Sequence, residues 1–158
     1  AVNGLAAGLG SSLALACDLQ VTKASGYFLQ AFINVGLMGD GGAHMFLADT
    51  LGRARGARLL MLGGRLPNRE GFAAGLVSHC VADDDFDCTV EELVERLANG
   101  PTMAFSRIKS AINAAAISQL DEVLALESAG QTVLGNSADH QEGILAFTQK
   151  RPANFTGA

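Results

Sequence analysis

Charge is scarce in this chain. Only 17 % of its 158 residues are Asp, Glu, Lys or Arg, and the net balance is −5. With no basic patch to neutralise phosphates, nucleic acid is excluded as a partner. Long apolar runs are missing too. None approaches the roughly 20 residues needed to cross a bilayer, so no membrane partner is expected. Cysteine is confined to Cys17, Cys80 and Cys88, with no C-x-x-C pairing. Each is read as a small buried hydrophobe rather than a ligand, nucleophile or disulfide half, and a reducing cytoplasm is the expected setting. His44, His79 and His140 are too dispersed to suggest a metal site. No Ser-His-Asp spacing, internal repeat or low-complexity linker is present.

What the chain has in abundance is apolar surface and glycine. Hydrophobic residues make up 49 % of it. So much apolar content with so little charge implies surface buried against another chain, or against a further part of the same one. Nineteen glycines exceed the usual share of about 7 %, which fits a turn-rich α/β chain. They first gather at Gly4, Gly8 and Gly10, where an extended stretch feeds a turn that opens an alanine-rich helix over about Gly10–Ala16. Such a junction leaves backbone N–H groups where negative charge can bind, and it serves equally well as a plain structural turn. It is not a dinucleotide fingerprint. Gly8-Leu9-Gly10-Ser11-Ser12-Leu13 lacks the third glycine, and Asp18 falls too early for the ribose-binding acid.

Along the chain, Asp18–Lys23 and Tyr27–Leu29 read as strands, and Asn34–Gly42, with four glycines, as a loop. Helices follow over Ala43–Leu51, with Asp40 in the N-cap region, and over Arg53–Leu62. Gly63-Gly64-Arg65-Leu66-Pro67 is a break, Asn68 caps a short helix to Ala74, and Leu76–Val81 is a strand. From Asp83 the periodicity is helical throughout, over 87–98, 102–116, 118–134 and 137–149, with Asn99-Gly100-Pro101 as a stop and restart. The expected organisation is an α/β core half over 1–82 and a helical tail over 83–158.

Ala1-Val2-Asn3-Gly4, Gly8-Leu9-Gly10, Leu13-Ala14 and Cys17-Asp18 together resemble the A-V-N-G-x-x-x-G-G-G-x-x-L-A-x-x-C-D turn of the crotonase (enoyl-CoA hydratase/isomerase) superfamily. The resemblance continues through Phe28-Leu29-Gln30-Ala31-Phe32, Gly36-Leu37-Met38-Gly39-Asp40-Gly41-Gly42, Gly75-Leu76-Val77 and Glu142–Phe155, and so spans essentially the whole chain in order. It implies a partial crotonase-like ββα spiral with a C-terminal helical oligomerisation region. Family members carry roughly another hundred residues ahead of this point, so the chain is expected to be the second part of a larger protein.

The resemblance also implies a chemistry. The backbone N–H of Leu9 is one of two donors to the thioester oxygen of an acyl-CoA, and the other donor lies ahead of residue 1. The two glutamates of the hydratases are replaced by Ser12 and Phe32, so two-glutamate hydration is not expected. Asp40 matches the G-L-x-P-D-x-G-G loop of the isomerase branch, in particular that of ring-1,2-epoxyphenylacetyl-CoA isomerases, where one aspartate moves a proton between carbons of the acyl chain. The expected function is an enoyl-CoA isomerase. Its alternatives are other acyl-CoA enolate chemistry of the hydratase, lyase or decarboxylase type, or a degenerate acyl-CoA-binding paralogue. Ala7, Gly8, Ser12, Phe32 and Met38 would surround the acyl group, with Phe28, Phe32, Leu37 and Met38 as apolar walls around Asp40. Phe147 and Lys150 would meet the coenzyme's adenine end. The implied partner is an acyl-CoA thioester, with coenzyme A as part of the substrate and no separate cofactor or metal. The implied assembly is a homotrimer or dimer of trimers, with the stripe Ile108, Ala111, Ile112 and Ala115 as packing surface. His44, one helical turn from Asp40, is expected to be a solvated or core histidine.

Overall fold

The computed structural model describes residues 1–158. Strand β1 (Leu5–Ala7) ends at Gly8, whose φ of 53° and ψ of −131° suit glycine and disfavour other residues. The Gly8 N–H still donates to Leu29 O at 2.9 Å, so the chain leaves the sheet at that residue, and α1 (Leu9–Leu15) begins at the next. The helix therefore starts one residue earlier than its sequence pattern suggests. Ser11 and Ser12 are fully buried on its inner face.

Strand β1 pairs in parallel with β3 (Tyr27–Leu29), and β3 pairs antiparallel with β4 (Arg65–Pro67), Phe28 facing Leu66 across the ladder. A separate parallel pair joins β2 (Val21–Lys23) to β5 (His79–Val81), with Thr22 opposite Cys80. The latter pair is pinned by a reciprocal bond, Gln20 N–H donating to Ser78 Oγ and that hydroxyl donating to Gln20 O, both at 2.7 Å. β2 and β5 are shorter than the stretches 18–23 and 76–81 suggest, because Leu76 and Val77 plug the core instead of joining the ladder. β4 lies within the stretch that reads as a break. Asn68 opens α4 (Asn68–Ala73) but does not cap it: its side chain is buried, and Nδ2 donates to Lys23 O at 2.8 Å.

The core forms where α1, α2 (Ala43–Leu51) and α3 (Arg53–Leu62) cover the three-stranded sheet. Ala6, Leu15, Phe28, Leu47, Leu59, Leu66, Leu76 and Val77 make one buried cluster there. Burying a Leu or Phe side chain of this kind stabilises by about 1.5–3 kcal/mol each. The cysteine expectation is corrected: Cys17 and Cys88 are exposed and only Cys80 is partly covered. In a chain this short of charge, small residues reach the surface because few polar ones are available to cover it.

Helices α5 (Phe86–Ala98), α6 (Thr102–Ala116), α7 (Leu120–Leu134) and α8 (Ala138–Gln149) complete the chain. On α6 no residue is fully buried, and Ile108 and Ile112 are more than half exposed. The last two helices instead return to the core half. α7 packs on α2, and α8 packs on the 3-10 turn Phe32–Val35, where His140 Nδ1–H donates to Val35 O at 2.7 Å. Behind α8 the chain is tied down by Glu142, which takes a bidentate bond from Arg151 and one from the Asn154 N–H. Those donors, Arg151 first, hold its carboxyl down at about 2. No helix is long and apolar enough to cross a membrane.

Candidate active site

The loop that carries Asp40 is built from both halves of the chain. It leaves the 3-10 turn at Gly36, in the left-handed region, and enters α2 through Gly41 and Gly42, with φ of 64° and 82°. Asp40 is not the cap that its position suggests. Gly42 occupies the N-cap with no side-chain bond of its own. The capping oxygens come from 85 residues away, where Glu127 on α7 accepts from Gly42 N–H at 2.8 Å through Oε2. Its Oε1 accepts from His44 N–H at 3.3 Å and from His44 Nδ1–H at 2.7 Å. A buried carboxylate at a helix N-terminus meets both the unpaired N–H groups and the positive end of the dipole. Glu127 is 2 % exposed, with both oxygens engaged. His44 is thus a bonded partner of α7, neither free in solvent nor in the core.

Removing that carboxylate has a predictable cost. Glu127→Ala strands the Gly42 and His44 N–H groups and opens a void. It should destabilise the protein by about 3 kcal/mol in urea unfolding, with Glu127→Gln losing less because one acceptor oxygen survives. A loss below about 0.5 kcal/mol would mean that α2 needs no cap from α7.

One turn along α7, Gln131 grips the other side of the loop. Its Nε2 donates to Met38 O at 2.9 Å and to Asp40 Oδ2 at 3.1 Å. Gly130, beside it, has no side chain because Met38 Sδ sits where a Cβ would be. Asp40 is left with Oδ2 bonded and with Oδ1 buried and bonded to nothing.

A cavity of about 540 Å³, wide open to solvent in this chain, lies against this arrangement, lined by Leu9, Asp40 and Gly41 and by Leu124, Glu127, Ser128, Gln131 and Thr132 of α7. Leu9 and Asp40 therefore share one wall. Leu9 is the first residue of α1, so its N–H precedes the intrahelical ladder. Ser12 is buried behind the same wall, close to Gly41, with its hydroxyl unbonded. The remaining predicted residues are spread more widely. The Phe32 ring packs beside Gly8, Met38 lies on α7, and Ala7 faces a second, mostly apolar depression with Leu5, Leu13 and Leu19. Phe147 (77 % exposed) and Lys150 stand exposed at the C-terminal end of α8, and neither lines the Asp40 cavity. None of Phe28, Phe32, Leu37 and Met38 lines this cavity. Phe28 is spent on the core, and polar side chains of α7 take the place of the apolar set.

Glu127 and Gln131 were not anticipated. A signal for them does exist in α7: Leu120, Val123 and Leu124 begin an apolar stripe that Glu127 and Gln131 continue at helical spacing. Polar residues at buried stripe positions need partners, and the Asp40 loop provides them.

The sequence profile of the enoyl-CoA hydratase/isomerase family matches residues 1–158. A Rhodobacter capsulatus protein named a probable enoyl-CoA hydratase is 41 % identical over 99 % of the chain and 61 % of its own length. The 1,2-epoxyphenylacetyl-CoA isomerase of Escherichia coli K12 is 40 % identical over 99 % of the chain and 60 % of its own length. The crystal structure of an enoyl-CoA hydratase from Mycobacterium avium subsp. paratuberculosis superposes with a TM-score of 0.94 at 44 % identity, over 97 % of this chain and 62 % of that one. The chain thus spans about three-fifths of the length of these relatives. With the fold shared and the match unbroken from end to end, the chain belongs to the enoyl-CoA hydratase/isomerase family.

Proposed function

We propose that the protein of which this chain is part is an acyl-CoA isomerase that shifts a double bond through a thioester enolate. The observation that carries this reading is that Leu9 and Asp40 line one cavity, with Asp40 Oδ1 free of any hydrogen bond. The Asp40 carboxylate removes a proton from the α-carbon of a 3-enoyl thioester. The C–H electron pair passes into the carbonyl, giving an enolate whose oxygen accepts from the Leu9 N–H. The protonated Asp40 then returns the proton to the γ-carbon, the double bond moves into conjugation, and no atom is gained or lost. A donor that strengthens only as charge develops on the oxygen lowers the barrier rather than merely binding substrate. Support against ordinary hydration comes from Ser12 and Phe32, which stand where the hydratases carry glutamates and cannot exchange protons with water at neutral pH.

The acyl thioester's coenzyme would run past Phe147 and Lys150, whose aromatic face and ammonium suit an adenine ring and a phosphate. Their outward position suits a site completed between subunits. The exposed Ile108 and Ile112 stripe on α6 suits a trimer contact. A cytoplasmic setting fits three free thiols.

The test uses the intact protein and 3-hexenoyl-CoA, following the ultraviolet absorbance of the conjugated thioester. Appearance of the 2-enoyl product without a 3-hydroxy product is expected. Efficient hydration of 2-hexenoyl-CoA with no isomerisation would overturn the reading in favour of a hydratase. Binding without turnover would overturn it in favour of a non-catalytic paralogue.

A further inference from the structure

We infer that Gln131 is the positioning residue for Asp40, holding Oδ2 so that Oδ1 is the oxygen that carries the proton. This rests on the proposed role of Asp40. Gln131 lies on a helix 91 residues further along the chain, yet its amide reaches the Asp40 loop at two points, 2.9 Å from Met38 O and 3.1 Å from Asp40 Oδ2. The orientation of that amide is not arbitrary. Met38 O can only accept, so the atom facing it must be the NH2 group, and both amide hydrogens are then used. Gln131 Oε1 is accordingly left buried and bonded to nothing. One of those hydrogens ties the amide to the main chain two residues before Asp40. The other fixes the carboxylate against that tie, so the pair acts as a bracket rather than a single swinging contact.

The chemistry follows from which lone pairs remain. An N–H directed at Oδ2 disfavours a proton on that oxygen, because an O–H would face a donor. Oδ1 has no donor on it. Proton uptake is therefore directed to Oδ1, and the carboxylate plane is set by a side chain that need not touch substrate. Glu127, which lines the same cavity, is not a competing base. Its two oxygens are already taken by Gly42 and His44, and its part is to hold the end of the loop beyond Asp40. The two α7 residues hold the loop on either side of Asp40, which explains why α7 folds back onto it.

The test compares Gln131→Met with Gln131→Glu in the intact protein, using 3-hexenoyl-CoA. Methionine keeps the length and removes both donors. Glutamate keeps the shape but sets acceptors against Met38 O and Asp40 Oδ2. Loss of about 10- to 100-fold in kcat at a near-constant KM is expected for Gln131→Met, as for a small misplacement of a reacting group, with a greater loss for Gln131→Glu. A Gln131→Met variant with wild-type kcat overturns the inference. The same follows from a crystal structure of Gln131→Met in which Asp40 keeps its rotamer and Oδ1 its unbonded position, whatever the turnover. Failure of the Asp40 assignment itself is read separately, from the Asp40→Asn variant, which leaves Gln131 intact.

Discussion

Asp40→Asn should lower isomerisation of 3-hexenoyl-CoA by about 10²- to 10⁴-fold in kcat, the range of general acid–base catalysis, and leave KM nearly unchanged. The substitution is conservative in shape, and the structure explains why it should not disturb the loop. The bond from Gln131 Nε2 to the side-chain oxygen at 3.1 Å can be kept by the asparagine carbonyl oxygen. The NH2 group then occupies the position of Oδ1, which has no partner to lose. What disappears is the capacity to accept a proton and give it back. At about 1.36 kcal/mol per tenfold, the expected loss is about 2.7–5.4 kcal/mol in the barrier, with folding stability little changed. Exchange of the α-hydrogens into deuterated water should vanish in parallel, since it needs the same proton transfer without the return to the γ-carbon. If turnover and exchange both survive, Asp40 is a loop residue and another base does the chemistry.

Sequence reasoning reached the parts of this site that are local. The glycine turn into α1 is visible because Gly8 needs a φ that other residues disfavour, and Leu9 follows it directly. The stop at Asn99-Gly100-Pro101 matches the gap between α5 and α6, since glycine and proline act within a few residues of themselves. The short strands were harder to bound. A strand of three residues, such as Arg65–Pro67, is too brief to show alternation, and its glycine and proline neighbours read as a break. What local pattern cannot hold is a bond between distant positions. Asp40 has the sequence of an N-cap, but the cap is supplied by Glu127, so the helix start is stabilised by packing that no window around residue 40 contains. The tail contributes most of the cavity wall for the same reason.

The second large effect concerns a main-chain atom, which side-chain substitutions miss. Leu9→Pro removes the N–H proposed to hold the enolate oxygen, and the local backbone can accept it. Proline is favoured at the first position of a helix, where the N–H has no intrahelical acceptor and φ near −65° is already required. A proline clashes with the N–H and Cβ of a helical residue before it; Gly8 has no Cβ, and its ψ of −131° is far from the helical range. Folding should therefore survive, while kcat falls about 10²- to 10³-fold, or about 2.7–4 kcal/mol, the usual cost of one oxyanion donor. Leu9→Ala is the control. It keeps the N–H and removes a side chain that is 59 % exposed in this chain, so a change of only a few-fold is expected. Equal losses in the two variants would assign the effect to the leucine side chain on the cavity wall and remove Leu9 N–H from the mechanism. A large loss confined to Leu9→Pro, combined with that of Asp40→Asn, would place the charge and the proton of one enolate on two residues that face the same cavity.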